Sequence, residues 1–511
     1  MAEIRSRRWW VLAAFVPATL AIGLDATVLS VALPTLTGKL GATTSQAQWF
    51  FAAYTLVFAA AMVPGGMLGD RFGRKKMLVI ALVIFGLGSL ACAYSSTPGE
   101  FIAARVVLGL GGAIATPMIL GALPVLFSEG ERGKAIATIM AATMLGYPIG
   151  PILGGWLLTH YWWGWVFLMN LPVVVLALVA VIVFQPESRS EKAQRFDPLG
   201  ILTCVVGLAL LTYGMIEAGQ KGWGNSSALA EMIGGLAVVV FFVLLERRVR
   251  DPLVDLKLFG SSGFRWGTIL ATVMSFAMFG LLFAVPAFLQ EVLGVNAEGV
   301  GLRLLPMIGG LIVAAAIGTR LADRAGARLT VGLGFVLFSV AMAMGATTGR
   351  ASSELFLATW ITLCGAGIGL AMPTAMDAAL GALSAERAGS GSGVIQAVRM
   401  VGGTFGAAVL GSVLNTVYRG GLDLAGLPAR AAIAVRGSVV GGIAEAHKIG
   451  SSSLLDSVEG SFVHGMSVML WVCAAGGLLG AVLASVYLPG RARESTKQPG
   501  GQPELGHELA G

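Results

Sequence analysis

The sequence carries little charge: Asp, Glu, Lys and Arg together make up only 12% of its 511 residues. Soluble globular domains carry about 25% charged residues, so this composition excludes an ordinary soluble domain. Cysteine and histidine are also scarce, with four of each. Cys92, Cys204, Cys364 and Cys473 lie far apart within apolar stretches, so we expect neither a metal site nor a disulfide framework.

A phosphate-binding loop of the form Gly-x-x-x-x-Gly-Lys-Ser/Thr is absent from the sequence. We therefore do not expect ATP to drive the activity of this chain. The formal net charge of +7 does not indicate nucleic-acid binding, because most Lys and Arg residues fall in alternate connections between apolar runs. This alternation is the positive-inside pattern of membrane proteins.

Long apolar runs take the place of charge: 56% of the residues are hydrophobic and the mean hydropathy is +0.82. Runs of roughly 20 apolar residues match a hydrocarbon core of about 30 Å. We predict an all-α polytopic membrane protein with fourteen spans and both termini in the cytoplasm. The predicted spans are 9–32, 47–69, 77–96, 100–127, 133–158, 164–184, 198–218, 228–246, 266–290, 301–320, 329–348, 354–378, 391–416 and 465–488.

A charged turn between two apolar runs occurs twice. The segment 68–76 reads LGDRFGRKK, and a fainter copy, LADRAGAR, occupies 321–328, with Asp323 lying 253 residues after Asp70. A basic turn duplicated between membrane helices indicates a transporter built from two related halves. The predicted parts are a first six-helix bundle at 1–184, a linker with two inserted helices at 185–257, a second six-helix bundle at 258–490 and a disordered cytoplasmic tail at 491–511. The long glycine-rich connection 417–464 is predicted as an external loop.

Four segments carry a resemblance to a known family. They are the turn 66–75, the first-helix segment 24–34 (LDATVLSVALP), the fifth-helix segment 146–155 (GYPIGPILGG) and the start of the sixth helix at 165–172 (WVFLMNLP). Together they resemble the major facilitator superfamily, and within it the fourteen-helix drug:proton antiporters.

The resemblance implies the major facilitator fold, with two six-helix bundles and two extra helices. It also implies export of lipophilic drugs or antibiotics across a bacterial cytoplasmic membrane. The implied energy source is a proton gradient, with no cofactor. The implied partners are a small lipophilic substrate, protons and the lipid membrane, without nucleic acid or ATP.

Asp25 and Arg105 are ionisable residues inside predicted spans. Charge inside a membrane is costly, so such residues usually face a cavity or a partner. The family resemblance implies that Asp25 couples transport to protons and that Arg105 takes part in proton relay, although this chain lacks the Gln that relatives often carry after the arginine. From the residues alone, a neutral structural carboxyl at Asp25 and a snorkelling cation at Arg105 remain open.

The fifth-helix segment combines small residues with prolines. Its glycines recur every four residues and share one helical face, which allows two helix backbones to approach closely. Its prolines remove backbone donors and favour a bend. Generic close packing is the alternative reading. The resemblance assigns the antiporter motif to Gly146, Pro148, Gly150, Pro151, Gly154 and Gly155.

The first charged turn places one acid among several cations and two glycines. Positive-inside anchoring explains the cations but not the acid or the glycines in their fixed register. We interpret the turn as a cytoplasmic gate held by salt bridges and helix-end charges. Its residues are Gly66, Asp70, Arg71, Gly73, Arg74 and Lys75.

Aromatic and methionine side chains in several spans are candidates for a substrate cavity, because they tolerate varied apolar ligands. Ordinary helix packing is the alternative. Asp377 and Arg399 form a possible charged pair in the second half, either in the cavity or as structural neutralisation. The candidate cavity residues are Tyr54, Phe58, Met62, Met144, Tyr147, Phe276, Phe279, Phe283, Asp377 and Arg399.

Two other functions remain open from the sequence. One is export of an endogenous metabolite or lipid on the same fold. The other is a non-transporting membrane sensor or assembly partner, which would not need the carboxylate at position 25.

Overall fold

The computed structural model describes residues 2–127, 129–189, 197–249, 252–383 and 385–489. The regular structure of these residues is helical, and they form no strand. The predicted tail 491–511 and two parts of the predicted linker, 190–196 and 250–251, lie outside the described residues.

Each predicted span overlaps a helix or a helix pair, although several helices extend beyond the predicted bounds, most of all at the start of the last one. The first half contains α1 Ala2–Leu40, α2 Thr44–Phe72, α3 Arg74–Ala93, α4 Pro98–Leu126, α5 Glu129–His160, α6 Trp165–Leu168 and α7 Asn170–Phe184. The inserted pair is α8 Pro198–Lys221 and α9 Ser226–Glu246. The second half contains α10 Ser262–Ala287, α11 Ala297–Ala325, α12 Ala327–Ala346, α13 Glu354–Leu380, α14 Ala385–Gly421, α15 Ala429–Gly437, α16 Val439–Ile449 and α17 Ser452–Tyr487.

Thirteen spans in the described part of the chain are long and apolar enough to cross a membrane, with α6 and α7 together forming one of them. The remaining predicted span, 133–158, lies in α5, whose 32 residues also exceed the length needed. The chain is therefore an all-α polytopic membrane protein.

The helices form two bundles with matching internal packing. In the first bundle α1 packs on α5 and α2 packs on α4. In the second bundle α10 packs on α14 and α11 packs on α13, as the duplicated turn predicts for related halves. The inserted helices α8 and α9 pack on each other outside the bundles, and α8 also packs against α2 and α14.

Both charged turns have the same backbone form. Gly73, between α2 and α3, has φ of 105°, and Gly326, between α11 and α12, has φ of 91°. Glycine adopts this region without the steric cost that a Cβ would add. We call the face of the molecule that carries these two turns the inner face and the opposite face the outer face.

The duplication extends to the side chains that follow the turns. The Lys75 Nζ donates to the Ile182 carbonyl oxygen at 2.8 Å, near the end of α7. Arg328, which lies 253 residues later, donates from Nε to the Leu488 carbonyl oxygen at 2.8 Å, at the end of α17. Each turn therefore fixes the inner end of the last helix in its own bundle, where terminal carbonyls lack helical partners.

In their outer halves the two bundles meet through α2 and α14. The buried Gln48 side chain donates from Nε2 to the Ala408 carbonyl oxygen at 3.0 Å. Deeper in the molecule, the Thr404 hydroxyl donates to the Thr55 hydroxyl at 2.7 Å. Both bonds cross between bundles at buried side chains.

Two further helix pairs join the bundles near the outer face. Gln290 Nε2, on a π-helical turn that follows α10, donates to the Val31 carbonyl oxygen of α1 at 2.8 Å. The Glu298 amide at the start of α11 donates to the Thr159 hydroxyl of α5 at 3.3 Å. The outer half thus has inter-bundle contacts from α1, α2 and α5.

The inserted helix α8 is bonded to the second bundle by polar side chains of α14. Ser412 Oγ donates to the Met215 carbonyl oxygen at 2.8 Å, and Asn415 Nδ2 donates to the Gly219 carbonyl oxygen at 3.0 Å. Arg419 Nη1 donates to the Gln220 carbonyl oxygen at 2.6 Å. The bonds to Gly219 and Gln220 satisfy carbonyls in the last turn of α8, which have no partner within that helix.

The connection 417–464 is not the plain loop predicted from its glycines. Two short helices, α15 and α16, occupy 429–449, and we call them the outer cap. Thr44 of the first bundle donates from Oγ1 to the Gly437 carbonyl oxygen at 3.1 Å. Tyr418 of the second bundle donates to the Val435 carbonyl oxygen at 2.8 Å. The outer cap therefore contacts both bundles.

Candidate functional site

A buried ion pair joins α1 to α4 in the middle of the first bundle. Arg105 Nη1 donates to Asp25 Oδ2 at 2.8 Å, and the two side chains are 1% and 0% exposed. Arg105 Nε also donates to the Phe50 carbonyl oxygen of α2 at 3.0 Å. Its guanidinium lies 4.4 Å from the centre of the Tyr54 ring, within range of a cation–π interaction.

The two carboxylate oxygens of Asp25 differ in their hydrogen bonding. Asp25 Oδ1 is buried and has no hydrogen-bond partner among the described residues. A buried ion pair is favourable only when good geometry and further hydrogen bonds offset its desolvation. Arg105 has these additional contacts, whereas Asp25 keeps one oxygen available to accept a proton.

Small residues of α4 allow α2 to pack closely beside the pair. A Cβ added to Gly109 would lie 2.7 Å from the Tyr54 carbonyl oxygen, and one added to Gly112 would lie 3.1 Å from the Phe58 ring. The α2 backbone and its aromatic side chains therefore lie directly against α4. These glycines follow Arg105 along the same helix.

The glycine face of α5 packs against α1. A Cβ added to Gly146 would lie 2.9 Å from Gly23 Cα, and one added to Gly150 would lie 2.4 Å from Thr27 Oγ1. Gly154 continues the same face, with an added Cβ 2.3 Å from a side-chain atom of α1. These contacts occur before and after the buried carboxylate, so α5 fixes the position of the segment that carries it.

The other face of the α5 motif contacts the second bundle. A Cβ added to Gly155 would lie 2.4 Å from the Ala297 carbonyl oxygen of α11. Pro151 is buried, and its carbonyl oxygen lies 2.6 Å from the position of a Cβ on Gly301. The side chain of Pro148 lies outside the described residues. The fifth-helix motif thus contacts α1 within its own bundle and α11 across the interface.

In the basic turn, the acid bonds to a cation of the same motif. Arg74 donates to Asp70 Oδ1 from Nη2 at 2.8 Å and from Nε at 3.2 Å. The Arg71 guanidinium lies 5.6 Å from the centre of the Phe72 ring. Gly66 has ordinary clearance, with the nearest atom 3.6 Å from an added Cβ.

Glu187, which the sequence motifs did not single out, completes this turn. Its carboxylate accepts from the Lys75 amide at 3.1 Å and the Lys76 amide at 3.2 Å, at the start of α3. A Cβ on Gly73 would lie 2.5 Å from the same carboxylate. A carboxylate at a helix N-terminus is favourable, and a glycine is required to admit this one.

The candidate cavity residues gather where the bundles meet. Tyr54, Phe58, Met62, Phe279 and Phe283 are buried in one apolar cluster that contains residues of both bundles. Phe276 is partly buried against the core of the second bundle. The side chains of Met144 and Tyr147 lie outside the described residues.

The Asp377–Arg399 pairing expected from the sequence is not among the contacts of the described residues. Arg399 donates from Nε to Ser275 Oγ at 3.2 Å and bonds to the Gln396 side-chain oxygen. Arg399 Nη1 also donates to the sulfur of Met376 on α13 at 3.4 Å. The neighbouring Asp377 is exposed. Successive residues of a helix are turned by 100°, so Met376 and Asp377 face different directions.

Comparisons with known proteins agree with this geometry. The sequence profile of the Major Facilitator Superfamily matches residues 15–407. The chain is 32% identical over 496 residues to the tetracenomycin C resistance and export protein of Streptomyces glaucescens, covering 94% of this chain and 92% of that protein. It is 33% identical over 394 residues to the multidrug resistance protein Stp of Mycobacterium tuberculosis, covering 77% of this chain and 73% of that protein.

A solved structure has a similar fold. It is that of a bacterial homologue of the human lysosomal transporter Spinster, in an inward-facing and unoccupied conformation. The TM-score is 0.66 at 17% sequence identity, and the match covers 93% of this chain and 97% of that chain. At this identity the likeness concerns the fold alone.

Proposed function

The chain belongs to the Major Facilitator Superfamily, and on this premise we propose that it exports lipophilic drugs or antibiotics in exchange for protons. It is a membrane transport protein and not an enzyme. The substrate class is supported by the relatives, which are named for tetracenomycin C export and for multidrug resistance. In this proposal the membrane is the cytoplasmic membrane of a bacterium, and the inner face and both termini lie in the cytoplasm. A proton gradient supplies the energy, without a cofactor or ATP.

The buried Asp25–Arg105 pair is the observation that carries the proton coupling. A carboxylate removed from water and held by one cation changes its ionisation whenever that cation moves or water enters. Among the described residues Asp25 Oδ1 has no hydrogen-bond partner, and in this proposal it is the oxygen that accepts the proton. Protonation removes the charge that holds Arg105, which then keeps its contacts with the Phe50 carbonyl and the Tyr54 ring.

This position links the proton to the substrate. Tyr54 stacks near Phe58, with ring centres 5.7 Å apart, and both belong to the apolar cluster between the bundles. Loss of the bond to Asp25 leaves Arg105 with its contacts to α2, so Arg105 and the adjacent Tyr54 ring can shift relative to α1 and change the wall against which a lipophilic compound binds. In this proposal the state of Arg105 allows either the substrate or the proton to bind, but not both. Exchange of a substrate for a proton across the membrane requires such mutual exclusion.

Alternating access supplies the movement. The two bundles rock about the central cavity, which opens to each side of the membrane in turn. The bonds of Gln48 and Thr55 to α14 close the outer half, which supports an inward-open assignment for this conformation. Protonation from outside releases the substrate there, and loss of the proton to the cytoplasm resets the site.

Transport in proteoliposomes with an imposed pH gradient tests the proposal. Asp25→Asn keeps the size of the side chain but cannot exchange a proton, so proton-driven efflux of a lipophilic dye should fall to the level of empty vesicles. Substrate exchange without a gradient should persist, which shows that the variant is folded. Glu354→Gln, at an exposed outer carboxylate, is the matched control and should transport like wild type.

Gradient-driven efflux at the wild-type rate by Asp25→Asn would exclude this coupling mechanism. Absence of any substrate exchange by the wild-type protein itself would instead favour the sensor or assembly function. A parallel panel of toxic compounds, tested on cells with and without the gene, distinguishes drugs from endogenous metabolites as the substrate.

A further inference from the structure

A cavity lies directly beneath the outer cap, between the two bundles. Helices α1 and α2 of the first bundle and α10, α14 and α17 of the second form its walls, and the start of α16 covers it. We call this cavity the outer chamber. Its volume is about 40 Å³, so in this conformation it has room for only a few water molecules. Because its walls belong to both bundles, it widens when the bundles separate at the outer face.

The side chains that line the outer chamber are apolar except for four hydroxyl groups, and among the described residues of the lining none is charged. Thr44 and Tyr418 donate to backbone carbonyls of the outer cap. Thr37 donates to the Leu33 carbonyl oxygen at 2.8 Å, and Ser438 Oγ accepts a backbone amide of α16 at 3.0 Å. Each hydroxyl is therefore engaged by the protein, and the remaining surface favours a neutral apolar ligand.

The outer chamber borders the candidate substrate cavity through one aromatic side chain. Phe283 lines the chamber and also belongs to the apolar cluster that contains Phe58 and Phe279. The Phe51 ring of the first bundle lies edge-on to it, with ring centres 6.3 Å apart. A compound that leaves the apolar cluster toward the outer face therefore meets the outer chamber next.

The outer cap is attached mainly to the second bundle. The chain enters it from α14 and leaves it toward α17. Its residues Val435 and Ala446 are buried in the apolar core of the second bundle, and Tyr418 donates to the Val435 carbonyl oxygen. A Cβ added to Gly442 of the cap would lie 3.0 Å from a methyl carbon of Val458 on α17. The cap therefore moves with the second bundle.

The contacts of the cap with the first bundle lie at its edge. Thr44 Oγ1 donates to the Gly437 carbonyl oxygen at 3.1 Å. A Cβ added to Gly38, near the outer end of α1, would lie 3.2 Å from Val440 Cγ1. Both contacts join a part that moves with one bundle to the other bundle, so they break when the bundles separate at the outer face.

Two helices that wall the outer chamber are built to bend beside it. Pro34 lies within α1 and lines the chamber. Pro286 lies within α10, next to the lining residue Ala287, and a π-helical turn follows at Phe288–Val292. Proline removes a backbone donor, and π-helical turns interrupt the regular hydrogen-bond ladder. The outer ends of α1 and α10 can therefore tilt away from the chamber.

On the basis of the export function proposed above, we propose that the outer chamber is an exit site, separate from the candidate substrate cavity, in which neutral lipophilic compounds bind before they leave the protein. The outer cap is the lid of this site. In the present conformation the lid is closed against α1 and α2. When the bundles separate, the second bundle lifts the lid from the first, and the widened chamber opens to the outer face.

Protection of an introduced thiol tests binding at the exit site. In full-length protein without native cysteines, in lipid nanodiscs, Ala47→Cys places a thiol in the chamber wall. Ala42→Cys, similarly buried in the turn between α1 and α2 but outside the lining, is the matched control. The neutral dye Nile red should slow the reaction of Ala47→Cys with N-ethylmaleimide several-fold and leave that of Ala42→Cys unchanged.

An unchanged reaction rate of Ala47→Cys in the presence of the dye would overturn the exit site, as would equal slowing of both variants. The protection needs no pH gradient and should persist when Asp25→Asn is added. Failure of proton coupling at Asp25 is therefore distinct from failure of the exit site.

Two cross-links test the lid. Gly38→Cys with Val440→Cys brings a Cβ and a side-chain atom of the cap within reach of a disulfide that joins the cap to the first bundle. Efflux of a lipophilic dye from proteoliposomes should fall to the level of empty vesicles on oxidation and return on reduction. Gly442→Cys with Val458→Cys, which joins the cap to the second bundle, is the matched control and should retain efflux after oxidation.

Undiminished efflux by the protein cross-linked between positions 38 and 440 would overturn the lid. Equal loss of efflux with both cross-links would contradict a cap that moves with the second bundle. Absence of efflux from the reduced proteins would instead count against the export function, because the thiol protection is measured without transport.

Discussion

Arg105 shows how strongly one residue depends on its partner. It is fully buried with a single carboxylate, so removal of that carboxylate leaves a charge without compensation in the first bundle. Breaking a buried pair in this way costs about 3–5 kcal/mol, whereas replacing both partners by neutral groups is often much less costly.

This asymmetry gives a prediction about stability. Asp25→Asn should lower the thermal unfolding temperature of the purified protein, and the double variant Asp25→Asn with Arg105→Gln should recover much of the loss. Unfolding followed by intrinsic fluorescence in detergent measures both. A double variant less stable than the single one would mean that Arg105 is held mainly by Phe50 and Tyr54.

For single residues, the sequence predicts which side chains are buried and ionisable better than it predicts which residues they contact. Asp25 in an apolar run indicates a buried carboxyl that needs a cation, and the structure supplies Arg105. Asp377 and Arg399 satisfy the same pattern but do not meet in the described contacts, because the phase of α13 turns Asp377 outward. Glu187 lies outside the sequence motifs, and its bonds to the start of α3 arise only when the segment after α7 packs there.

Among the elements, α5 packs its glycines directly against the segment of α1 that carries the proposed proton site. Three of its glycines lie against α1 with no room for a Cβ. Movement of α5 relative to α1 would therefore disturb the segment that holds Asp25.

Gly150→Leu should block one state of the transport cycle. Overpacking costs about 1–3 kcal/mol, and each 1.4 kcal/mol is about tenfold in an equilibrium, so the inward–outward balance should shift roughly tenfold. Cysteine accessibility from each side of the membrane measures the shift. Gly332→Leu on α12, where an added Cβ meets nothing within 4 Å, is the matched control. Similar behaviour of the two variants would exclude a special role for the glycine face.

The sequence predicts the helices that hydropathy marks as membrane spans. It does not predict the short helices that form only because neighbouring residues pack against them. The fourteen apolar runs coincide with helices because a helix satisfies its own backbone in lipid. The outer cap was predicted as loop because its helices are short, rich in glycine and too weakly apolar to stand out. They are held by neighbours instead, through Thr44 and Tyr418.

The molecule as a whole is joined across its outer half by side chains that no local pattern reveals. Gln48 and Thr404 are polar residues in apolar runs, and only the assembled bundles give them partners. The duplicated turns predict the two halves, but they do not predict which helices of one half face the other.

Cross-linking at this interface tests the proposed movement. In a background without native cysteines, Thr55→Cys with Thr404→Cys should form a disulfide, because the two hydroxyls lie 2.7 Å apart. The cross-linked protein should lose efflux, and a reducing agent should restore it. Each single cysteine variant is the control. Undiminished efflux by the fully cross-linked protein would show that the outer half does not open during transport.

The bonds between α14 and α8 bear on how this protein could be shortened or recombined. If the inserted helices were deleted, Ser412, Asn415 and Arg419 would lose their carbonyl acceptors on α8, and polar groups without partners are costly in a membrane. An engineered twelve-helix variant should therefore be more stable when these three side chains are replaced by apolar ones. The polar side chains that accommodate the inserted helices thus lie on α14, outside the inserted segment.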